Sequence, residues 1–300
     1  MADDVVADGI ASGAPPMTAS FHGVRGSTPC HGPDIMRYGG NTSCVAIRIP
    51  GADPILLDLG TGLRYFGLEQ PPGVPFRGTC LLSHLHWDHI QGLPFFTPLL
   101  TDGAEVTIHA PSQDDGTSVE RVFARTITPP LFPIDLAMLP GNVSYSEVGD
   151  SEFVIDGGAA GDIRVMSRVI PHIGRTVGYR IEWNGRSIAY LSDHQQPCDG
   201  TLAASRGAFD LCRDVDLLIH DAQYTPAEFA TKCDWGHCTV GFAVWLAAEA
   251  GAKRLALFHH DPTHDDETLD RLVVEARVDG EARGVDVVGA SEGLTLTVGE

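Results

Sequence analysis

Positive charge is scarce in this sequence. Against 40 Asp and Glu stand only 20 Lys and Arg, a formal net charge of −20. So anionic a chain repels extended polyphosphates at long range, which disfavours binding to long DNA or RNA. A small anionic substrate stays compatible, because bound metal ions dominate the field inside a site. Long apolar runs are missing too: no stretch approaches the roughly 18 residues that cross a bilayer, so no membrane partner is expected. The N-terminus, Met1-Ala-Asp-Asp-Val-Val-Ala-Asp, has neither the basic region nor the apolar core of a secretory signal, and a cytoplasmic location is expected. Seven cysteines (Cys30, Cys44, Cys80, Cys198, Cys212, Cys233 and Cys238) include no Cys-x-x-Cys pair, and an odd number without a signal reads as reduced thiols.

What is present describes a globular protein. The 300 residues are 43% hydrophobic with a mean hydropathy near zero, enough for a large core. Residues 1–17, rich in Ala, Gly, Asp and Pro, are expected to form a disordered tail, with Met17 as an alternative start; 18–300 are expected to form a single domain. Short β-like runs at 18–21, 43–49, 54–59 and 79–82 are bounded by Gly and Pro, and 105–109 reads as the next strand. Further β-like runs at 163–169, 176–183 and 186–191 open the second half. There follow a helix near 200–211, a strand at 215–219, a helix at 239–250, a strand at 253–257, a helix at 265–277, and short strands at 285–288 and 294–298. Two β-rich halves, each finished by αβ units, predict a four-layer αβ/βα sandwich with its site between two sheets. The proline-laden apolar segment 126–140 can be neither regular helix nor central strand; a lid, a subunit contact and a loop packed on the core all fit it.

The most informative stretch is Ser83-His84-Leu85-His86-Trp87-Asp88-His89, directly after the apolar run Cys80-Leu81-Leu82. Imidazole and carboxylate are ligands for Zn²⁺, Mn²⁺ or Fe²⁺. In extended backbone, residues two apart point the same way, so His84 and His86 can grip one ion. Asp88 and His89, past the turn, can face a second. Other candidates recur at the ends of apolar strands: His172 after 163–170, Asp193 after Ser187-Ile-Ala-Tyr-Leu-Ser, and His259 and His260 after Arg254-Leu-Ala-Leu-Phe. Each alone is a weak signal, since a His or Asp at a strand end is more often a turn or capping residue. Their repetition makes the constellation.

His-x-His-x-Asp-His after a strand resembles the motif of the metallo-β-lactamase superfamily of hydrolases. That resemblance implies that His84, His86 and His172 hold one ion and that Asp88, His89 and His259 hold the other. Asp193 is then shared, and Asp88 also counts among the catalytic groups. It implies that Asp58, in Ile-Leu-Leu-Asp-Leu-Gly-Thr-Gly, orients a ligand from behind, and that His260 is a pocket residue if His259 is the last ligand. His264 is expected at the surface, starting a helix. Two divalent ions, Zn²⁺ first with Mn²⁺ or Fe²⁺ as alternatives, make a nucleophilic side chain unnecessary, so Ser83 and the cysteines carry no catalytic role.

Two further stretches, Trp235-Gly-His-Cys-Thr and Leu217-Leu-Ile-His-Asp-Ala-Gln-Tyr, resemble motifs of the phosphodiesterase branch of that superfamily, which includes ribonuclease Z and enzymes acting on small cyclic phosphates. By that resemblance His237 contacts the scissile phosphate and protonates the leaving alkoxide, oriented by Asp221. Cys238 and Asp221 depart from the branch's Ser and Glu, and the shorter carboxylate puts the His237–Asp221 contact in question. His220 reads as a buried, hydrogen-bonded histidine. Gly23-Val-Arg-Gly-Ser-Thr-Pro and Arg37-Tyr-Gly-Gly-Asn-Thr-Ser-Cys also look like this branch. Only twenty residues separate His172 from Asp193, leaving no room there for a tRNA-gripping arm. A small phosphodiester, a cyclic nucleotide among the candidates, is therefore the expected substrate, and the resemblance adds a homodimer. A lactonase or thioesterase of the same fold, or a non-enzymatic metal-containing ligand-binding protein, are the alternatives.

Overall fold

The computed structural model describes residues 16–299; the tail expected over 1–17 otherwise lies outside the described residues. Met17 is fully buried and its carbonyl accepts from the Val298 amide at 2.9 Å, so the packed chain includes it.

The elements run β1 (Thr18–Gly23), β2 (Cys44–Arg48), β3 (Ile55–Leu57), α1 (Leu63–Leu68), β4 (Arg77–Leu81), α2 (Trp87–Ile90), β5 (Glu105–Pro111), α3 (Val119–Thr126) and β6 (Asn142–Val148). The second half adds β7 (Ser151–Asp156), β8 (Asp162–Val169), β9 (Val177–Trp183), β10 (Arg186–Leu191), α4 (Arg206–Cys212), β11 (Leu217–Asp221) and α5 (Pro226–Lys232). It closes with α6 (Val240–Ala250), β12 (Arg254–Phe258), α7 (Asp266–Arg283), β13 (Asp286–Gly289) and β14 (Thr295–Thr297).

Two seven-stranded sheets result, ordered β14-β1-β2-β3-β4-β5-β6 and β13-β12-β11-β10-β9-β8-β7. In the first, pairing is antiparallel as far as β3 and parallel from β3 to β6. In the second, β10 to β13 pair in parallel and β7 to β10 antiparallel. The period-two alternation of each strand decides the layers. In β11, Leu217 and Ile219 enter the core between the sheets while Leu218 joins the layer under α4, α6 and α7. In β4, Leu81 faces inward and Cys80 joins Phe66, Phe96 and Phe123 beneath the helices of the first sheet. The outcome is the expected αβ/βα sandwich. Among the described residues no helix is long and apolar enough to cross a membrane.

The sequence reading differs from the fold at several points. The helix expected from 200 starts at Arg206, because the Ser205 hydroxyl accepts from the Ala208 amide at 3.1 Å and caps it there. Helix α5 went unread although it carries a capping box, Thr225 with Glu228, and Pro226 in its first turn. Strands β6 and β7 also went unread; they form open edges of the two sheets, and their apolar pairs, Val143 with Tyr145 and Phe153 with Ile155, pack on the cores only half-buried. Segment 126–140 is a loop whose Phe132, Leu136 and Leu139 pack on the first sheet's helical layer while Leu131 and Met138 stay exposed. All seven cysteines are unpaired.

Candidate metal centre

The C-terminal ends of the parallel strands lie on one edge of the sandwich, and the polar residues that follow them converge there. From β4 come Ser83, His84, His86, Asp88 and His89; from β8 His172; from β10 Asp193; from β12 His259. Asp193 sits at the centre, buried, with its two oxygens facing different groups. Its Oδ1 lies 3.2 Å from His89 Nε2 and 3.3 Å from His259 Nε2. Its Oδ2 lies 3.7 Å from His84 Nε2 and 3.5 Å from His172 Nε2. Asp88 Oδ2 completes the first group, at 3.2 Å from His89 Nε2 and 3.4 Å from His259 Nε2. His86 completes the second, its Nδ1 3.2 Å from His172 Nε2.

The outer nitrogens of four of these imidazoles, all but that of His86, are held from behind, which leaves the inner nitrogen as the lone pair whenever the ring is neutral. His89 Nδ1 donates to Asp58 Oδ2 at 2.7 Å, His172 Nδ1 to the Gly236 carbonyl at 2.7 Å, and His259 Nδ1 to Gln223 Oε1 at 2.9 Å. His84 Nδ1 donates to Ser83 Oγ at 3.0 Å, since that hydroxyl gives its own proton to Asp58 Oδ2 at 2.9 Å. Asp58 also accepts from the Ser83 amide at 2.7 Å and from the Tyr190 hydroxyl at 2.6 Å. It adopts φ of 59° and His259 φ of 56°, left-handed conformations uncommon for residues other than glycine.

Buried polar atoms usually find partners. Here His84 Nε2, His89 Nε2 and Asp193 Oδ1 have none, and all aim into the cluster. Two groups, His84–His86–His172–Asp193 and Asp88–His89–His259, each bring their ligand atoms within 4.8 Å of one another. Orphaned nitrogen and carboxylate atoms without a thiolate fit divalent metal ions.

Burial and charge set the protonation of the metal-free cluster. Burial pushes His84 well below the ordinary imidazole value and His172 down to about 4. Burial also opposes charge on His89, but the carboxylates of Asp88, Asp193 and Asp58 outweigh it and hold that ring well above the ordinary value. Burial would raise Asp193, yet His259, His89 and His84 keep it ionised well below the usual range.

His237 stands beside the cluster, its ring 5.0 Å from that of His259. Its Nδ1 donates to Asp221 Oδ2 at 2.7 Å and lies 3.8 Å from Asp193 Oδ2, so the imidazole is committed to Asp221 and Nε2 is left for a substrate oxygen. The contact that the shorter carboxylate put in question is made. Burial disfavours the imidazolium, but Asp221 overrides it and raises His237. Asp221 is itself placed by the Gln223 amide at 3.0 Å. His260 turns away: its Nε2 donates to the Ala290 carbonyl at 2.9 Å, and burial lowers it to about 3. His220 is buried, donating to the Asp221 carbonyl at 2.7 Å and meeting His194 at 2.9 Å. His264, expected at the surface, is buried instead with Nε2 at 2.8 Å from Glu228, because α5 covers it.

Sequence reading missed several supports. The Ser27 amide donates to Asp88 Oδ2 at 2.8 Å, and Gln223, Tyr190 and Gly236 hold ligands or their partners. Two glycines gave a signal: a Cβ on Gly26 would stand 2.5 Å from the His259 ring, and one on Gly236 would stand 2.3 Å from His172 Nδ1.

Comparison with known proteins agrees with this architecture. Residues 55–260 match the family model described as the beta-lactamase superfamily domain. The chain is 38% identical to ribonuclease Z of Sulfurisphaera tokodaii over 265 residues, covering 78% of this chain and 86% of that one. It is 40% identical to ribonuclease Z of Gemmatimonas aurantiaca over 93 residues, a match spanning 31% of this chain and only 27% of that relative. Among solved structures, the metallo-beta-lactamase fold protein YhfI from Bacillus subtilis superposes with a TM-score of 0.68 at 19% identity, over 95% of this chain and 99% of that one, a likeness of fold. The paired sheets, the convergent histidines and aspartates and these matches together make the chain a member of the beta-lactamase superfamily and a metal-dependent hydrolase.

Proposed function

We propose that the protein hydrolyses a small phosphodiester, with His84, His86 and His172 holding one divalent ion, Asp88, His89 and His259 a second, and Asp193 shared by both. The ion pair, when bound, supplies Lewis acidity and lowers the pKa of water, so no side-chain nucleophile is required. The observation that carries the reading is the His237–Asp221 pair at 2.7 Å, beside Asp193. A carboxylate on Nδ1 stabilises the imidazolium and presents Nε2–H, which can bind a phosphoryl oxygen and then release its proton to a departing alkoxide. A thioester, whose thiolate leaving group needs no such acid, would leave this pair idle.

The name ribonuclease Z carried by the relatives points towards an RNA phosphodiester. Two features favour a smaller one. The residues between His172 and Asp193 are taken up by the β9–β10 hairpin, turning at Asn184 and Gly185, and the chain carries a net charge of −20. Nitrogen and oxygen ligands suit Zn²⁺ first, then Mn²⁺ or Fe²⁺.

The test is hydrolysis of bis(p-nitrophenyl) phosphate by Zn²⁺- or Mn²⁺-loaded protein. His237→Ala is expected to lower kcat by roughly 10²–10⁴-fold while bound metal is retained. A variant as active as the parent would remove His237 from the reaction, and absence of turnover by the parent with either metal would overturn the phosphodiester reading.

A further inference from the structure

Exposed apolar side chains adjoin several residues of this centre in the chain. Asp88, His89 and His259 are buried and the His172 side chain is only 1% exposed, whereas His86 is exposed, so access lies on the His86 side. The residue following each of His86 and His172 is apolar and exposed: Trp87 at 54% and Ile173 at 50%. A third segment is the loop Trp235-Gly236-His237, tied to His172 by the Gly236 carbonyl on its Nδ1 at 2.7 Å, and Trp235 is 60% exposed. The chain has four tryptophans. Trp183 donates to the Ala160 carbonyl at 2.9 Å and packs on the core, and Trp245 packs against Phe209 and Phe242. The other two are exposed and adjoin the cluster in the chain, Trp87 next to His86 and Trp235 two residues before His237.

Trp235 is fixed rather than loose. Lys232 Nζ sits 5.6 Å from its ring and 5.0 Å from the ring of Tyr224, and is held by Asp261 Oδ2 at 3.3 Å. Tyr224 in turn meets the His237 ring edge-on at 5.7 Å. The backbone adds a bond from the Trp235 amide to the Lys232 carbonyl at 3.0 Å. A cation over one ring face, a buried tyrosine behind it and an exposed remainder make a preorganised stacking surface two residues from His237.

Resting on the phosphodiester reading, we infer that Trp235, backed by Lys232, is a specificity-determining platform that stacks a planar ring carried by the substrate, as a nucleobase would be, with Trp87 and Ile173 completing the rim. The substrate class is then a small nucleoside phosphodiester. Stacking on every base face is sequence-tolerant, so the platform selects for a ring and leaves its identity open.

The test is calorimetric binding of adenosine monophosphate and ribose 5-phosphate to metal-loaded protein, two ligands that share the phosphate and differ in the ring. The parent is expected to bind the nucleotide about tenfold more tightly. Trp235→Ala abolishes that difference and leaves ribose 5-phosphate binding unchanged; Trp235→Phe, which keeps a ring, retains most of it; Lys232→Met reduces it partway. Equal binding of the two ligands by the parent, or equal losses for both in Trp235→Ala, overturns the platform. Because binding is read without turnover, these outcomes stand apart from failure to hydrolyse bis(p-nitrophenyl) phosphate, which would overturn the reaction itself.

Discussion

The two halves of the histidine and aspartate cluster are built differently. At the closed end, Asp88, His89 and His259 are buried; the Ser27 amide donates to the inward Oδ2 of Asp88, and the outer nitrogens of His89 and His259 are gripped by Asp58 and Gln223. Asp58 alone receives the Ser83 amide and hydroxyl, His89 Nδ1 and the Tyr190 hydroxyl, so one carboxylate ties β3, β4 and β10 together. At the open end, His86 is exposed and its partner His172 depends on one backbone carbonyl, that of Gly236. The closed end is therefore part of the core, and its geometry is bound up with folding. The open end is a rim, free to meet a substrate without disturbing what lies beneath.

The strongest challenge to this division is Asp58→Ala. It leaves several buried donors without an acceptor, and a buried donor stranded in this way costs about 1–3 kcal/mol. Allowing for relaxation, a loss of roughly 3–5 kcal/mol is expected, read as a lower urea midpoint of the metal-free protein. A loss near zero would mean that Asp58 serves the metals alone.

Next in size is a contrast within the ligand set. His86→Ala is expected to reduce bound metal from two equivalents towards about one, with stability of the metal-free protein within roughly 0.5 kcal/mol of the parent, as for other exposed substitutions. His89→Ala, whose ring lies between Asp58 and Asp193, should lose metal and also about 2–4 kcal/mol of fold stability. Metal analysis beside urea titration of both variants decides it; equal destabilisation would erase the distinction between the two ends.

How much of this was legible depends on whether a residue acts through its own chemistry or through its position. The histidine motif, Asp193 and His259 each terminate an apolar strand, and the parallel strands bring such ends to one edge, so spacing and periodicity were enough to nominate them. The sandwich followed from the same alternation. Ser27, Gln223 and Gly236 were invisible because their contribution is a backbone amide, a side-chain amide and a backbone carbonyl, groups that nearly every residue or many residues could offer. His264 misled because burial under α5 depends on a helix whose capping box passed unnoticed. Strands β6 and β7 escaped because no residue of β7 and only Val148 of β6 is fully buried, whereas an inner strand such as β11 is buried throughout and reads as an apolar run.

The subtlest expected effect is on pH dependence in the metal-free protein, where the two ends have opposite signs. His172 at the open end is lowered by burial to about 4, below the ordinary imidazole value of about 6.5. Between those values the unfolded chain binds more protons than the folded one, so its contribution to stability is present above about pH 6.5 and is lost as pH falls towards 4. His89 at the closed end is raised by Asp88, Asp193 and Asp58 against the opposing effect of burial. Its contribution is complete below about pH 6.5 and disappears as pH rises through the folded value. Urea midpoints of EDTA-treated protein at acid, neutral and alkaline pH should therefore show a shallower acid decline in His172→Gln and a shallower alkaline decline in His89→Gln. If either variant keeps the parent's slope on its own side, the charge asymmetry between the rim and the core of the cluster is wrong.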